Sequence, residues 1–116
     1  MLPNANLKVY LATGATDMRK SINGLSILIS EYLELNPLSG NLFAFCNRKK
    51  TIIKILYWDR NGFCLFQKRL EKHRFPWPDS KEQVLALNRR ELLWLMEGLD
   101  IQNLRGHKTL KFNTVY

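Results

Sequence analysis

The sequence is poor in cysteine, in long apolar runs and in acidic residues. Two cysteines among 116 residues are too few for a disulfide framework and favour a reducing, cytoplasmic setting. No apolar run approaches the ~18 residues of a membrane span, and we expect neither a membrane nor a secretory signal. Ten Asp and Glu against eighteen Lys and Arg leave a net charge of +8. That excess favours polyanionic partners, nucleic acid first, over a small-molecule substrate.

Residue patterns that would support catalysis or a metal site are also missing. Cys46, Cys64, His73 and His107 show none of the short ligand pairs that zinc sites use. There is no Gly-x-Ser-x-Gly elbow, and the single glycine of "TGAT" does not make a phosphate-binding loop. The ten carboxylates could still converge in space, but most suit caps, turns or solvated positions. We therefore expect a non-enzymatic protein with no catalytic residue, no metal and no cofactor.

Length and composition fit one α+β domain that spans residues 1–116, with a core at about residues 7–101. Apolar residues at spacings of three and four predict one long N-terminal helix from Met18 to Glu34, with Asp17 as its N-cap. Asn88 and Glu91 form a capping-box pattern that predicts a short C-terminal helix from about Arg89 to Glu97. The tail over 102–116 is either an added edge strand or a mobile arm.

Aromatic and β-branched residues dominate the middle of the chain and predict an antiparallel β-meander. Both faces of its central strand are largely apolar, so we expect the sheet to be covered on both sides. A short strand is predicted before the long helix, and the segment over 83–87 could be a fourth meander strand. The predicted strands are Leu7–Ala12, Leu42–Phe45, Thr51–Trp58, Gly62–Leu70 and Gln83–Leu87.

The basic residues cluster in and beside this meander. From Arg48 to Arg74 the chain holds nine cations and two acids. Lys and Arg suit phosphates, and neighbouring rings such as Phe75 and Trp77 suit either base stacking or burial as lids on the core. Plain solvation of the cations is the alternative to nucleic-acid contact. The candidate nucleic-acid-binding residues are Arg48, Lys49 and Lys50 at a hairpin tip, Lys68, Arg69, Lys72 and Arg74 near a strand end, and Arg19 and Lys20 at a helix start.

Two apolar residues are candidates for a protein interface. Ile27 points to the side of the long helix where a solvated face would carry a polar residue. Trp94 falls opposite the apolar stripe of the second helix, where an outward Trp suggests an interface and burial is the alternative.

Three strings carry a family resemblance: "TDMRKSINGL" (16–25), "NPLSGNLFAFCNRKKTIIKILYWDRNGFCLFQKRLEKHRFPWP" (36–78) and "LMEGLD" (95–100). Together they resemble the TnpB accessory proteins encoded by the second open reading frame of IS-sixty-six-type insertion elements. Ile22 stands where the family often has an aromatic residue, and His73 where it usually has glycine. Nothing here resembles the much longer RNA-guided nucleases that are also called TnpB.

The resemblance implies an accessory role in DNA transposition with no established chemistry of its own. In such elements a separate, larger transposase carries the acidic catalytic triad. Two roles follow as expectations. In the first, the protein binds DNA, at the element ends, through its basic β-meander surface. In the second, it is an adaptor that docks the larger transposase without touching DNA.

Overall fold

A computed structural model describes residues 7–98. The predicted tail over 102–116 and the end of the predicted core lie outside the described residues. The elements are β1 (Val9–Ala12), α1 (Ile22–Ile27), a π-helical turn (Leu28–Tyr32), β2 (Leu42–Cys46), β3 (Ile52–Asp59), β4 (Gly62–Arg69), β5 (Val84–Leu87) and α2 (Arg89–Met96). A mixed α+β fold is thereby confirmed.

The strands form one sheet in the order β4-β3-β2-β1-β5. β2, β3 and β4 are the predicted antiparallel meander. β1 runs parallel to β2, because the helical connection carries the chain back to the same end of the sheet before β2 begins. The expectation of a fourth meander strand is wrong in its pairing. β5 lies antiparallel to β1 at the far edge of the sheet, with Val9 opposite Leu87.

Both faces of the sheet are covered, as the two apolar faces of β3 predicted. On one face, Ile53, Ile55 and Tyr57 pack with α2 and with Phe75 and Trp77. On the other face, Leu56 packs with Phe43, Phe45 and the buried residues of the α1 region. This second layer brings the start of α1 over the sheet.

The long N-terminal helix from Met18 to Glu34 is not found. Helical structure begins only at Ile22, behind Ser21, and it ends at Tyr32 after eleven residues. The last turn is π-helical, with the amide of Leu33 donating to the carbonyl of Leu28. The wider turn rotates Leu33 into the core and turns Tyr32 outward, to 55% exposure. The prediction that Tyr32 lies on the apolar, core-facing side of the helix is therefore wrong.

Asp17 does not cap this helix. Its carboxylate instead accepts from the backbone amide of Arg19 at 2.9 Å, in a turn that precedes the helix. The second helix agrees with its prediction: Asn88 accepts from the amide of Glu91, and Glu91 accepts from the amide of Asn88. Within residues 7–98 no helix is both long and apolar enough to span a bilayer.

Candidate nucleic-acid interface

The two principal basic clusters lie at one end of the sheet. Ile52, the first residue of β3, pairs with Arg69, the last residue of β4. Beyond that pair, the amide of Leu70 donates to the carbonyl of Thr51 at 2.8 Å. The amide of Phe75 donates to the carbonyl of Lys50 at 2.7 Å. These bonds fasten the β2–β3 turn to the bend after β4. We call the resulting surface the basic edge; its cations are Arg48, Lys49, Lys50, Arg69, Lys72 and Arg74.

The turn that carries the first three cations is built by Asn47. Its side-chain oxygen accepts from the amides of Thr51 and Ile52, and its side-chain nitrogen donates to the hydroxyl of Thr51. Lys50 closes the turn with a left-handed backbone, at φ +62°. Three side-chain hydrogen bonds at one residue make this a defined turn, so Arg48 and Lys49 project from a fixed base.

Most cations of the basic edge are exposed, and most of them make no ion pair with any residue from 7 to 98. Among residues 7–98 only Lys50 and Arg69 of this set have an acidic partner: Lys50 lies 3.9 Å from Asp79, and Arg69 lies 3.0 Å from Glu71. The other members, Arg48, Lys49, Lys72 and Arg74, are all exposed. Exposed cations without an acidic partner attract counterions from solvent, and a polyanion can displace these.

The bend after β4 depends on His73, which holds a left-handed backbone at φ +68°. A residue with a Cβ is strained there, and glycine is not. The family resemblance places glycine at this position. The chain therefore has the left-handed bend although histidine replaces glycine at this position. The bend places Lys72 and Arg74 at the basic edge.

Lys68 is separated from that surface by a structural contact. It is half-buried, and its Nζ donates to the carbonyl of Met96 at 3.2 Å. Met96 is the last residue of α2, so the ammonium group lies where the helix dipole is negative. The side chain thus ties β4 to α2.

Arg19 and Lys20 lie in the turn before α1. The Arg19 guanidinium makes a two-pronged contact with Asp17, with its Nη2 atom 2.7 Å from Oδ2 and its Nε atom 3.1 Å from Oδ1. This contact lowers the pKa of Asp17 from 3.8 to about 2. Arg19 stays almost fully exposed. Its charge is nevertheless offset locally by Asp17.

Lys54 is the residue that the sequence pattern did not single out. It is 8% exposed on the sheet face that α1 covers. Its Nζ donates to the carbonyls of Met18 at 2.8 Å and Lys20 at 2.9 Å. The amide of Thr16 also donates to the carbonyl of Cys46 at the end of β2. These bonds bring the turn of Arg19 to the end of the sheet where the basic edge lies.

The aromatic residues beside the basic run are buried, as one of the two predicted alternatives had it. Phe75 is 1% exposed and Trp77 is 4% exposed. The indole Nε1 of Trp77 donates to the carbonyl of Ala12 at 3.0 Å. Both rings are therefore part of the core rather than free platforms for bases.

The two candidate interface residues differ in exposure. Ile27 is 55% exposed, and Tyr32, which the π-helical turn directs outward, is equally exposed. Trp94 is half-buried and packs against the core cluster on the α2 side of the sheet. The outward apolar residue of α2 is its neighbour Leu93, at 48% exposure.

The two cysteines are free thiols, and Cys64 is half-buried. Cys46 is fully buried, and that burial raises the pKa of its thiol from 9.0 to about 12. In the described part of the chain no three His, Cys, Asp or Glu side chains come together as a metal site.

Comparison with known proteins agrees with the sequence resemblance. The model of the IS66 Orf2-like protein family matches residues 7–106. The chain belongs to this family. It is therefore an accessory protein of IS66 insertion elements rather than a member of a known catalytic family.

Two proteins of Sinorhizobium fredii are similar to this IS66 Orf2-like chain, and both are named only as uncharacterized. Protein y4hO is 43% identical over 101 residues, covering 86% of the chain and 88% of the relative. Protein y4jC is 33% identical over 98 residues, covering 84% of each. No solved structure matches the chain.

Proposed function

We propose that this IS66 Orf2-like protein is a non-enzymatic accessory of transposition that binds DNA, at the ends of the element, through the basic edge. The observation that carries the proposal is the pair of backbone hydrogen bonds that joins the β2–β3 turn to the bend after β4. They make one surface of two clusters that are about twenty residues apart in the sequence.

The charges of that surface fit a phosphate backbone. Arg48, Lys49, Lys72 and Arg74 are exposed and have no acidic partner within residues 7–98. Lys and Arg in this state release condensed counterions when they meet DNA phosphates, and the release drives binding. Such contacts position a protein on DNA and carry little sequence information.

Arg19 and Lys20 extend the proposed surface along the α1 side of the sheet. Because Asp17 already occupies the Arg19 guanidinium, DNA has to displace that carboxylate before Arg19 can bind a phosphate. Lys68, with its ammonium group held by Met96, is a peripheral contributor. We therefore place the main contacts at Arg48, Lys49, Lys72 and Arg74.

Fluorescence anisotropy with labelled element-end duplex DNA, titrated at several salt concentrations, tests the proposal. Four phosphate contacts predict a slope of about −3.6 in a plot of log affinity against log salt. A duplex of the same length and unrelated sequence shows how much of the affinity is specific for the element end. No binding at low salt would refute the proposal.

The second candidate function is that of an adaptor for the larger transposase, and two exposed apolar residues in α1 and the π-helical turn favour it. Ile27 and Tyr32 are large apolar residues on one short helical segment, and each is more than half exposed. Exposed apolar residues of this size are typical of protein-binding surfaces when they cluster. Trp94 packs on the core and is a weaker candidate.

Co-purification with the transposase after nuclease treatment distinguishes the two functions. An adaptor keeps its partner when DNA is digested and loses it in an Ile27→Gln, Tyr32→Gln double variant. Trp94→Ala serves as the comparison, and loss in that variant alone would move the interface to α2. Loss of the complex on nuclease treatment would indicate that DNA, and not a direct protein contact, joins the chain to the transposase.

A further inference from the structure

A cleft of about 290 Å³ opens beside the basic edge. It lies where three segments meet: the loop after β1, the β2–β3 turn and the segment of Trp77. Its lining residues are Gly14, Ala15, Asn47, Arg48, Lys50, Trp77 and Asp79. Two of them, Arg48 and Lys50, belong to the basic edge, so the cleft is continuous with the surface that we propose for DNA.

Hydrogen bonds and prolines hold the loops that form the walls of the cleft. The amide of Thr16 donates to the carbonyl of Cys46, which joins the loop after β1 to the end of β2. The indole of Trp77 donates to the carbonyl of Ala12. Pro76 and Pro78 flank Trp77 and restrict its backbone. The cleft is therefore preformed, as small-ligand sites usually are.

The lining offers both halves of a nucleotide a partner. Arg48 and Lys50 supply cations for a phosphate. The backbone amides of Gly14 and Ala15 donate to no partner among residues 7–98, so they are available to phosphate oxygens. Trp77, whose ring is almost entirely buried in the core, contributes an apolar part of the cleft wall against which a base can pack. Gly14 has a left-handed backbone at φ +78°, and a Cβ added there would meet no atom within 4 Å. The loop after β1 therefore borders open space at this position.

We infer that this cleft receives one unpaired nucleotide of a DNA strand while the basic edge holds the adjoining duplex. The inference rests on the proposed function and deepens it. The volume of about 290 Å³ lies just below the ~300–1,000 Å³ range of small-molecule pockets, so it leaves room for one nucleotide at most and not for a stacked base pair. Such nucleotides occur at frayed or cut strand ends, where the cost of unpairing is smallest.

Asp79 tunes the site. Its carboxylate is exposed and lies 3.9 Å from the Lys50 ammonium group, and both residues line the cleft. A phosphate and this carboxylate compete for Lys50. Asp79→Asn is therefore expected to tighten nucleotide binding, whereas removal of a merely structural ion pair would not.

The test compares three DNA probes on the full chain: a blunt hairpin duplex, the same hairpin with one unpaired nucleotide at its end, and a free deoxynucleoside monophosphate. We expect the overhang to bind more tightly than the blunt hairpin, by about tenfold for one added base contact. The free mononucleotide shows whether the cleft recognises a nucleotide by itself. It should shift the indole N–H NMR signal of Trp77, assigned by elimination with Trp58→Phe and Trp94→Phe.

Ala15→Leu provides the blocking variant. Ala15 is exposed and lines the cleft, so a larger side chain fills the space without a change of charge or of core packing. Ser30→Leu adds the same side chain at an exposed helical position outside the cleft. We expect Ala15→Leu to abolish the preference for the overhang and to leave blunt-duplex binding unchanged, and Ser30→Leu to alter neither.

The outcomes separate the two proposals. Equal affinity for blunt and overhanging hairpins, or a preference that survives in Ala15→Leu, overturns the cleft inference and leaves duplex binding by the basic edge standing. Absence of binding to every probe at low salt overturns both.

Discussion

The ammonium group of Lys54 donates to the carbonyl oxygens of Met18 and Lys20, which lie on either side of Arg19. A buried lysine on β3 thus holds a turn that is more than thirty residues away in the sequence. The contact joins the α1 layer to the sheet beside the basic edge.

Lys54→Met tests this link. Methionine keeps the apolar stem but leaves two carbonyl oxygens without their donor. We expect the free energy of unfolding to fall by about 1–3 kcal/mol. Both lost hydrogen bonds come from one charged ammonium group, and that group is shielded from water. Urea denaturation measures the change. Lys81→Met, at an exposed position, should change stability by less than about 0.5 kcal/mol, and equal effects of the two substitutions would contradict the structural role of Lys54.

His73 offers a second stability test, because its left-handed backbone strains any residue with a Cβ. We expect His73→Gly to be more stable than His73→Ala by about 1 kcal/mol, since only glycine relieves the strain at φ +68°. Comparing two substitutions at one position removes the imidazole from both. Equal unfolding midpoints in the two variants would show that the bend is not held in this conformation in solution.

The contact between Arg19 and Asp17 predicts that the Asp17 carboxyl group titrates at a lower pH than an ordinary aspartate. In the folded chain the pKa of Asp17 lies at about 2, below its usual 3.8, because the guanidinium and the amide of Arg19 both favour the carboxylate. Any stability from this contact is complete above about pH 4 and is lost as the pH falls towards 2. NMR titration of the Asp17 carboxyl carbon should return a midpoint nearer 3.8 in Arg19→Gln. An unchanged midpoint in that variant would mean that Arg19 is not the cause.

Cys46 should be inert while the chain is folded. Its side chain is fully buried, and burial raises the pKa of the thiol to about 12, so almost no thiolate is present at pH 8. In a Cys64→Ser variant, which leaves Cys46 as the single thiol, a chromogenic disulfide reagent should react only after urea is added. Rapid reaction in native buffer would contradict the burial of β2.

The elements that the sequence predicted well are those that depend on neighbours in the chain. The meander follows from alternation and short connections, and the cap of α2 follows from Asn88 and Glu91 three residues apart. The pairing of β5 with β1 does not follow, because the segment over 83–87 has the same pattern whether it joins β4 or β1. In the structure β5 pairs with β1, and its last residue, Leu87, packs in the same core cluster as α2 and Trp77.

The sequence indicated which cations belong to the candidate surface, but not how they are arranged in space. Clustered cations in the sequence indicated Arg48–Lys50 and Lys68–Arg74, but the backbone bonds from Leu70 to Thr51 and from Phe75 to Lys50 are what show that these segments share one edge. Side chains that leave the surface could not be recognised, because their partners are distant in sequence: Lys54 binds the turn before α1, and Lys68 binds the end of α2. The π-helical turn was likewise hidden, since Tyr32 fits an α-helical stripe and only the wider turn directs it outward.

The most direct test of the basic edge compares two double variants of equal charge. Arg48→Gln with Lys49→Gln removes two cations from the edge. Lys8→Gln with Arg60→Gln removes two exposed cations at the opposite end of the sheet, beside the start of β2 and in the β3–β4 turn. We expect the first pair to weaken element-end duplex binding and to reduce the slope against log salt by about 2, and the second pair to leave the slope nearly unchanged. Equal losses in both variants would show that DNA responds to net charge alone and would contradict a defined binding edge.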